Sequence, residues 1–358
     1  MSENKLAAKK NSLAQRLEAF GQLSSQDKLR AVGNWLLDYA MIVIILILVA
    51  YIQTQRPAFL KTASIVNILT LTASRLPMAL GIAGAIILTG TDLSAGRAVG
   101  LTAFFSAALL QKSDIINKFF PNLTTLPLVP VLLAVVAIGA LVGLINGFCI
   151  AKFKLHPFIV TLSTQLVTYG AYLTVSNASQ ISNLSESYTT GFVTKVMFKI
   201  GTTSVMTYVA MALVVTLIMW VIWNKTVFGK NMFAVGSNEE AAKVSGVNVT
   251  MTIIGVFALA GATYGYTGFI EAARLGASTG TLGLNYELDA IAACVIGGVS
   301  FVGGTGKISG VVLGVFLMQL IISGMTFLGI SGNATYIIKG LVILIACAID
   351  MRKYLAKK

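Results

Sequence analysis

TGTDLSAGRAVG, residues 89–100, lies between two long apolar runs, and its reading decides the fold. Asp92 is one of only 13 acidic residues in the 358-residue chain, and glycines surround it at 90, 96 and 100. Asp and Ser are good helix N-caps, because their oxygens accept the backbone N–H groups that a helix start leaves unpaired. Asp92 and Ser94 are therefore expected to cap a helix beginning near Arg97, with Arg97 close enough to pair with Asp92. Gly90 lets the chain leave the preceding helix. Gly96 and Gly100 share one helix face and permit a close neighbour. Gly90, Asp92, Ser94, Gly96 and Arg97 thus form a structural break inside an apolar region. It serves either as a capped packing joint or as part of a solute route.

The rest of the chain supports a lipid setting. Hydrophobic residues make up 56% and charged residues 11%, against about 25% charged in soluble proteins. Charges are scarce where lipid makes each one cost several kcal/mol. The formal charge is +13, yet no run of five basic residues occurs, so nucleic acid is not an expected partner. Cys149, Cys294 and Cys347 lie in apolar stretches and read as small hydrophobes. His156 is the only histidine, which rules out a histidine metal cluster.

Apolar runs give ten candidate spans, at 36–54, 64–90, 97–111, 128–151, 157–176, 207–223, 252–270, 288–303, 308–328 and 335–350. The second contains Arg75 and Pro77 and is expected to tilt, kink or break. With both termini inside, the inner segments hold 15 Lys/Arg in 76 residues and the outer segments 7 in 78. This twofold bias fits the positive-inside rule. The reading is an all-α polytopic membrane protein of about ten transmembrane helices, both termini cytoplasmic, with glycine-rich broken or short helices. Residues 1–34 form a cytoplasmic tail, 35–350 the transmembrane domain with an inner loop at 224–251, and 351–358 a basic cytoplasmic tail. GTDLSAGRAVGL after the second span and GGVSFVGGTGKISGVVLG after the eighth are weakly similar breaks, as in transporters built from duplicated halves.

Nucleotide chemistry is excluded by one near miss. GGTGKIS, 303–309, lacks the phosphate-loop glycine at Phe301 and has Ile308 where Ser or Thr is required. No catalytic dyad, metal site or paired midspan carboxylates appear, so no catalytic residue is assigned and the chain carries no cofactor. Five spans contain no charge at all, which argues against proton coupling. Thr161, Gln165, Thr168 and Tyr172 fall on one helix face, and Gln319, Ser323 and Thr326 repeat the spacing. Such amides and hydroxyls suit a hydroxyl-rich solute. They equally suit hydrogen bonds between helices or back to their own helix.

In the 224–251 loop, Ser237 or Asn238 can cap a short helix through Glu239, Glu240, Ala241, Ala242 and Lys243, ended by Gly246. Such a helix is either a plain surface element or a docking element for another protein.

At this point the chain resembles a family. FGKNMFAVGSNEEAAKVSGV (228–247), GTDLSAG (90–96), HPFIVTLST (156–164) and YELDAIAACVIGGVSFVGGTG (286–306) are similar, in order and over nearly the whole chain, to the permease subunits of bacterial ABC-type monosaccharide importers. The galactose/methyl-galactoside branch is nearest in detail. The resemblance implies a non-enzymatic subunit of the inner membrane that works as a dimer. It implies a periplasmic binding protein that delivers the sugar, and a separate ATP-binding cassette subunit that holds ATP and Mg. It also implies that the 237–246 helix docks on that ATPase. A gradient-driven sugar carrier or a channel-like structural subunit would share the polar stripes but need no docking helix.

Overall fold

A computed structural model of the chain describes the backbone of residues 40–355, apart from 117 and 125. The expected tail at 1–34 lies outside the described residues, as do the side chains of 351–358. The chain divides into two units, residues 1–47 and 48–358. Of the first, only the opening of α1 (Ala40–Gln55) is described.

The second unit is a helical bundle. Its helices are α2 (Thr62–Ile87), α3 (Ala95–Leu109), α4 (Leu128–Phe153), α5 (Pro157–Ser176), α6 (Thr207–Lys225), α7 (Val227–Ser237), α8 (Glu239–Val244), α9 (Val249–Leu275), α10 (Tyr286–Ile296), α11 (Ile308–Phe327) and α12 (Gly332–Leu355). Six of these, α2, α4, α5, α6, α9 and α11, are long and apolar enough to cross a membrane. The ten expected spans overlap helices, but α1, α3, α10 and α12 fall outside these six, and α3 and α10 have only 15 and 11 residues. At about 1.5 Å per residue neither covers a hydrocarbon core of about 30 Å.

Three departures from the expectation have physical reasons. First, α2 is one continuous helix through Pro77, so of the expected tilt, kink or break the break is excluded. A proline is tolerated in a membrane helix where neighbouring helices satisfy the freed backbone groups, and Pro77 is buried among them. Second, the region between α5 and α6 folds a small antiparallel hairpin, β1 (Val196–Ile200) on β2 (Thr203–Met206), so the chain is mainly rather than wholly helical. Every β1 residue is exposed, so the strand shows no alternation by which to recognise it. Third, most of the 224–251 loop is ordered helix, α7 followed by α8.

The tightest packing joins α4 to α9. A Cβ on Gly139 would lie 2.2 Å from the Gly261 carbonyl oxygen, and one on Gly143 would lie 2.0 Å from that of Phe257. A Cβ on the facing Gly265 would likewise lie 2.3 Å from the Val135 carbonyl oxygen. In lipid, where apolar contact alone does not drive association, such backbone-to-backbone approach supplies the packing. α9 also lies against α2 and α3, which makes it the centre of the fold.

Candidate functional site

The 88–94 break closes α2 with a Schellman arrangement. The Gly90 N–H donates to Ala85 and the Thr89 N–H to Ile86, which satisfies two orphan carbonyls. The residue in the left-handed conformation is Thr89, with φ 62°, not Gly90. Gly90 is closely surrounded: a Cβ there would lie 3.3–3.4 Å from Phe257, Ala85 and Pro157, at the tight end of ordinary contact.

Asp92 and Ser94 are both fully buried. Asp92 Oδ1 accepts from the Ser94 N–H at 3.0 Å and from Ser94 Oγ at 2.6 Å, and Oδ2 accepts from Tyr264 Oη at 3.0 Å. Asn146 Nδ2 donates to Ser94 Oγ at 2.9 Å. The carboxylate thus joins the break to α4 and α9. Two expectations change here. Ser94 makes no side-chain cap of α3; it takes the N-cap place while its hydroxyl donates to Asp92. Arg97 does not pair with Asp92. Its guanidinium lies 3.9 Å from the Tyr169 ring centre and donates to the Gly280 carbonyl at 3.1 Å. Tyr264 and Ser94 already satisfy the carboxylate, so no cation is needed.

The second break, 297–307 between α10 and α11, meets the first. The Gly304 N–H donates to the Ile87 carbonyl at 2.9 Å. The last residues of α7 close the same junction, since a Cβ on Gly236 would lie 1.9 Å from the Ile87 oxygen and 2.9 Å from the Gly304 nitrogen. Beyond it α8 begins. Asn238 Oδ1 accepts from the Ala241 N–H at 2.9 Å, Glu239 and Glu240 occupy the first turn, and Gly246 ends the turn with φ 83°. Ser237 is the last residue of α7, and its Oγ lies where a Cβ on Gly304 would go, so Asn238 is the cap. Ala242 is buried, while Glu239, Glu240, Ala241 and Lys243 are exposed. Lys154, just after α4, pairs with Glu239 at 2.8 Å. His156 caps α5 by accepting from the Phe158 N–H at 3.3 Å.

The polar stripe residues separate. Thr161 Oγ1 donates to the Thr91 carbonyl in the first break at 3.2 Å. Gln165 Nε2 donates to Glu287 Oε1 at 3.3 Å. Thr168 bonds back to Thr164 in its own helix, and Tyr172 packs edge-on against Phe104 with ring centres 5.3 Å apart. Ser323 is buried on α11. Gln319 lines a cavity of about 280 Å³ between α2, α10, α11 and α12, together with Arg75, Tyr286, Asp289, Tyr336 and Lys339. Lys339 pairs there with Asp289 at 2.8 Å. Beside it the fully buried Glu271 holds Arg274 at 2.9 Å and Arg75 at 3.6 Å, and Arg75 stacks 3.2 Å over Tyr286.

Sequence reasoning missed this ion network, because its members come from three helices. It also missed Asn146, although Asn146 is the one polar side chain between Leu128 and Ala151. A lone amide in an apolar helix is itself a signal of an internal partner. Among the described residues no group of His, Cys, Asp or Glu could hold a metal ion.

A family model described as "Branched-chain amino acid transport system / permease component" matches residues 64–347. The chain belongs to this permease family. It is 47% identical over 331 residues to the galactose/methyl galactoside import permease protein MglC of Salmonella typhimurium, covering 91% of this chain and 97% of that one. The MglC protein of Haemophilus influenzae is 46% identical over 89% and 95% of the two chains. The ribose import permease protein RbsC of Escherichia coli is 33% identical over 89% and 95%. No solved structure matches the permease.

Proposed function

We propose that this permease is the membrane subunit of an ATP-binding cassette importer that carries galactose and methyl-galactoside across the inner membrane. The carrying observation is 47% identity spanning 97% of a relative named for those sugars. The more distant ribose permease is 33% identical, which favours galactose over ribose. Both termini face the cytoplasm, the orientation that the twofold Lys/Arg bias favours, in an arrangement of about ten membrane helices. The subunit works as a dimer, receives sugar from a periplasmic binding protein and holds no nucleotide itself. ATP and Mg belong to a cytoplasmic ATPase that docks on α8.

The docking reading has a mechanical basis. α8 presents an acidic, exposed first turn and is tied to α4 through Lys154. The residue two before its cap, Gly236, is wedged between Ile87 at the end of α2 and Gly304 in the second break. A displacement of α8 is therefore delivered to the end of α2 and to the break between α10 and α11 together, as in rigid-element switching.

The test is galactose uptake in cells with and without the chain under two energy blocks. Uptake that survives collapse of the proton gradient and stops on ATP depletion supports the proposal. The reverse pattern makes this a gradient-driven carrier.

A further inference from the structure

The two short helices start at the same place. A Cβ on Gly96 would lie 2.0 Å from Glu287 Oε2 and 2.3 Å from the Gly283 carbonyl oxygen, and a Cβ on Gly283 would lie 2.0 Å from the Gly96 oxygen. The first turn of α3 and the first turn of α10 thus touch, although neither helix spans the lipid. Gln165, the ninth residue of the 20-residue α5, faces this contact through its bond to Glu287. Half-helix starts meeting inside a membrane are a common place for transporters to hold solute. A helix start alone decides nothing, but here a buried polar group points into the contact. Glu287 is 3% exposed, and its Oε2 has no hydrogen-bond partner among the described residues.

The groups around it form a donor–acceptor set. Gln165 is half-buried and spends an amide hydrogen on Glu287, which leaves its carbonyl oxygen as an acceptor to which nothing among the described residues donates. One turn along α5, Tyr169 lies under the half-buried Arg97, whose guanidinium has N–H groups beyond the one given to Gly280. An acceptor amide beside a donor guanidinium, with an aromatic ring between, suits neighbouring hydroxyls of a neutral pyranose. An ionic solute would need a net charge opposite to the set, and Glu287 and Arg97 offset one another.

We propose that Gln165 and Arg97 form a hydroxyl-recognition site for the permeating monosaccharide, with Glu287 as the positioning residue that orients the Gln165 amide. This rests on the sugar-import reading above.

The experiment uses the whole complex, permease with its ATPase and binding protein, in proteoliposomes. Transport of galactose and of its single deoxy analogues is measured at saturating sugar, beside binding-protein-stimulated ATP hydrolysis. Gln165→Ala is expected to slow galactose transport about tenfold, the worth of one hydrogen bond to a desolvated polar group, with stimulated hydrolysis retained. One deoxy analogue, lacking the hydroxyl that Gln165 receives, should move equally slowly in parent and variant. Glu287→Gln, which can still accept from Gln165, should restore most of what Glu287→Leu loses. Unchanged transport of every sugar by Gln165→Ala overturns the site, as does joint loss of transport and stimulated hydrolysis. A changed sugar preference in Gln319→Ala instead moves recognition to the 280 Å³ cavity and also overturns it. A parent complex that moves no monosaccharide fails earlier, and then the sugar reading itself falls.

Discussion

The two glycine-rich breaks look alike in sequence and are held by different chemistry. The first, 88–94, is fixed by side chains at its fully buried Asp92 and Ser94: Asp92 takes three hydrogen bonds and recruits Tyr264 and, through Ser94, Asn146. The second, 297–307, is partly exposed and is fixed by backbone shape. Gly298, Gly303 and Gly304 all have positive φ, at 82°, 91° and 66°. A break out of reach of water must bring its own partners, because an unpaired buried group costs about 1–3 kcal/mol. A break near the surface can leave carbonyls to water and needs only residues that tolerate the turn.

The largest expected effect follows from that difference. Asp92→Ala strands Tyr264 Oη, the Ser94 N–H and the Ser94 hydroxyl at once. A loss of about 3 kcal/mol or more is expected, read as reduced thermal stability of purified permease. Asp92→Asn keeps an acceptor and should lose less. If Asp92→Ala melts with the parent, the first break is not held by its carboxylate and the contrast fails.

Next come the contacts between the breaks. Gly236→Ala places a methyl 1.9 Å from the Ile87 oxygen, so α7 must shift off both breaks. The expected outcome is folded permease that assembles with its ATPase but transports at a small fraction of the parent rate. Reversal of Glu239 and Glu240 to lysine acts one step earlier and should weaken assembly itself. Gly236→Ala with normal transport would show that the close approach transmits nothing. Full assembly and normal sugar-stimulated hydrolysis in the charge-reversed variant would remove α8 as the docking element.

A smaller effect is expected at Gly298. Its φ is 82°, but a Cβ there would meet nothing within 4 Å, so only backbone strain opposes alanine, at about 1 kcal/mol. A much larger loss on thermal melting would mean that the second break, too, depends on packing.

Much of this was legible in the residues. The ten apolar runs coincide with helices because lipid tolerates few charges and each run carries its own signal. The α8 helix was readable from Asn238, the two glutamates and Gly246, since caps and stops are local. Partners distant in sequence were not. The expected Asp92–Arg97 pair is replaced by the neighbouring Ser94 together with the distant Tyr264 and Gly280, the last two fixed by how α9 and the following turn pack. The Gly139/Gly143 and Gly261/Gly265 spacing stands in the sequence but was not read as a contact, since it does not say which helix meets which. The hairpin gave no periodic signal at all.

The smallest expected effect tests the contrast at its one exception. Thr89 lies in the first break with φ 62°, where the second break uses glycine at every positive-φ position. A β-branched residue pays about 1–2 kcal/mol for that conformation, and glycine would remove the cost. Glycine also frees the unfolded chain, which returns about 0.5–1 kcal/mol. The Thr89 methyl further occupies the space that a Cβ on Gly303 would take, at 2.4 Å, so glycine there opens a gap between the breaks. These contributions nearly cancel, and Thr89→Gly should melt within about 1 kcal/mol of the parent. A clear gain in stability with slower transport would show that Thr89 holds strain the junction uses. A clear loss would show that its methyl is the spacer holding the two breaks in register.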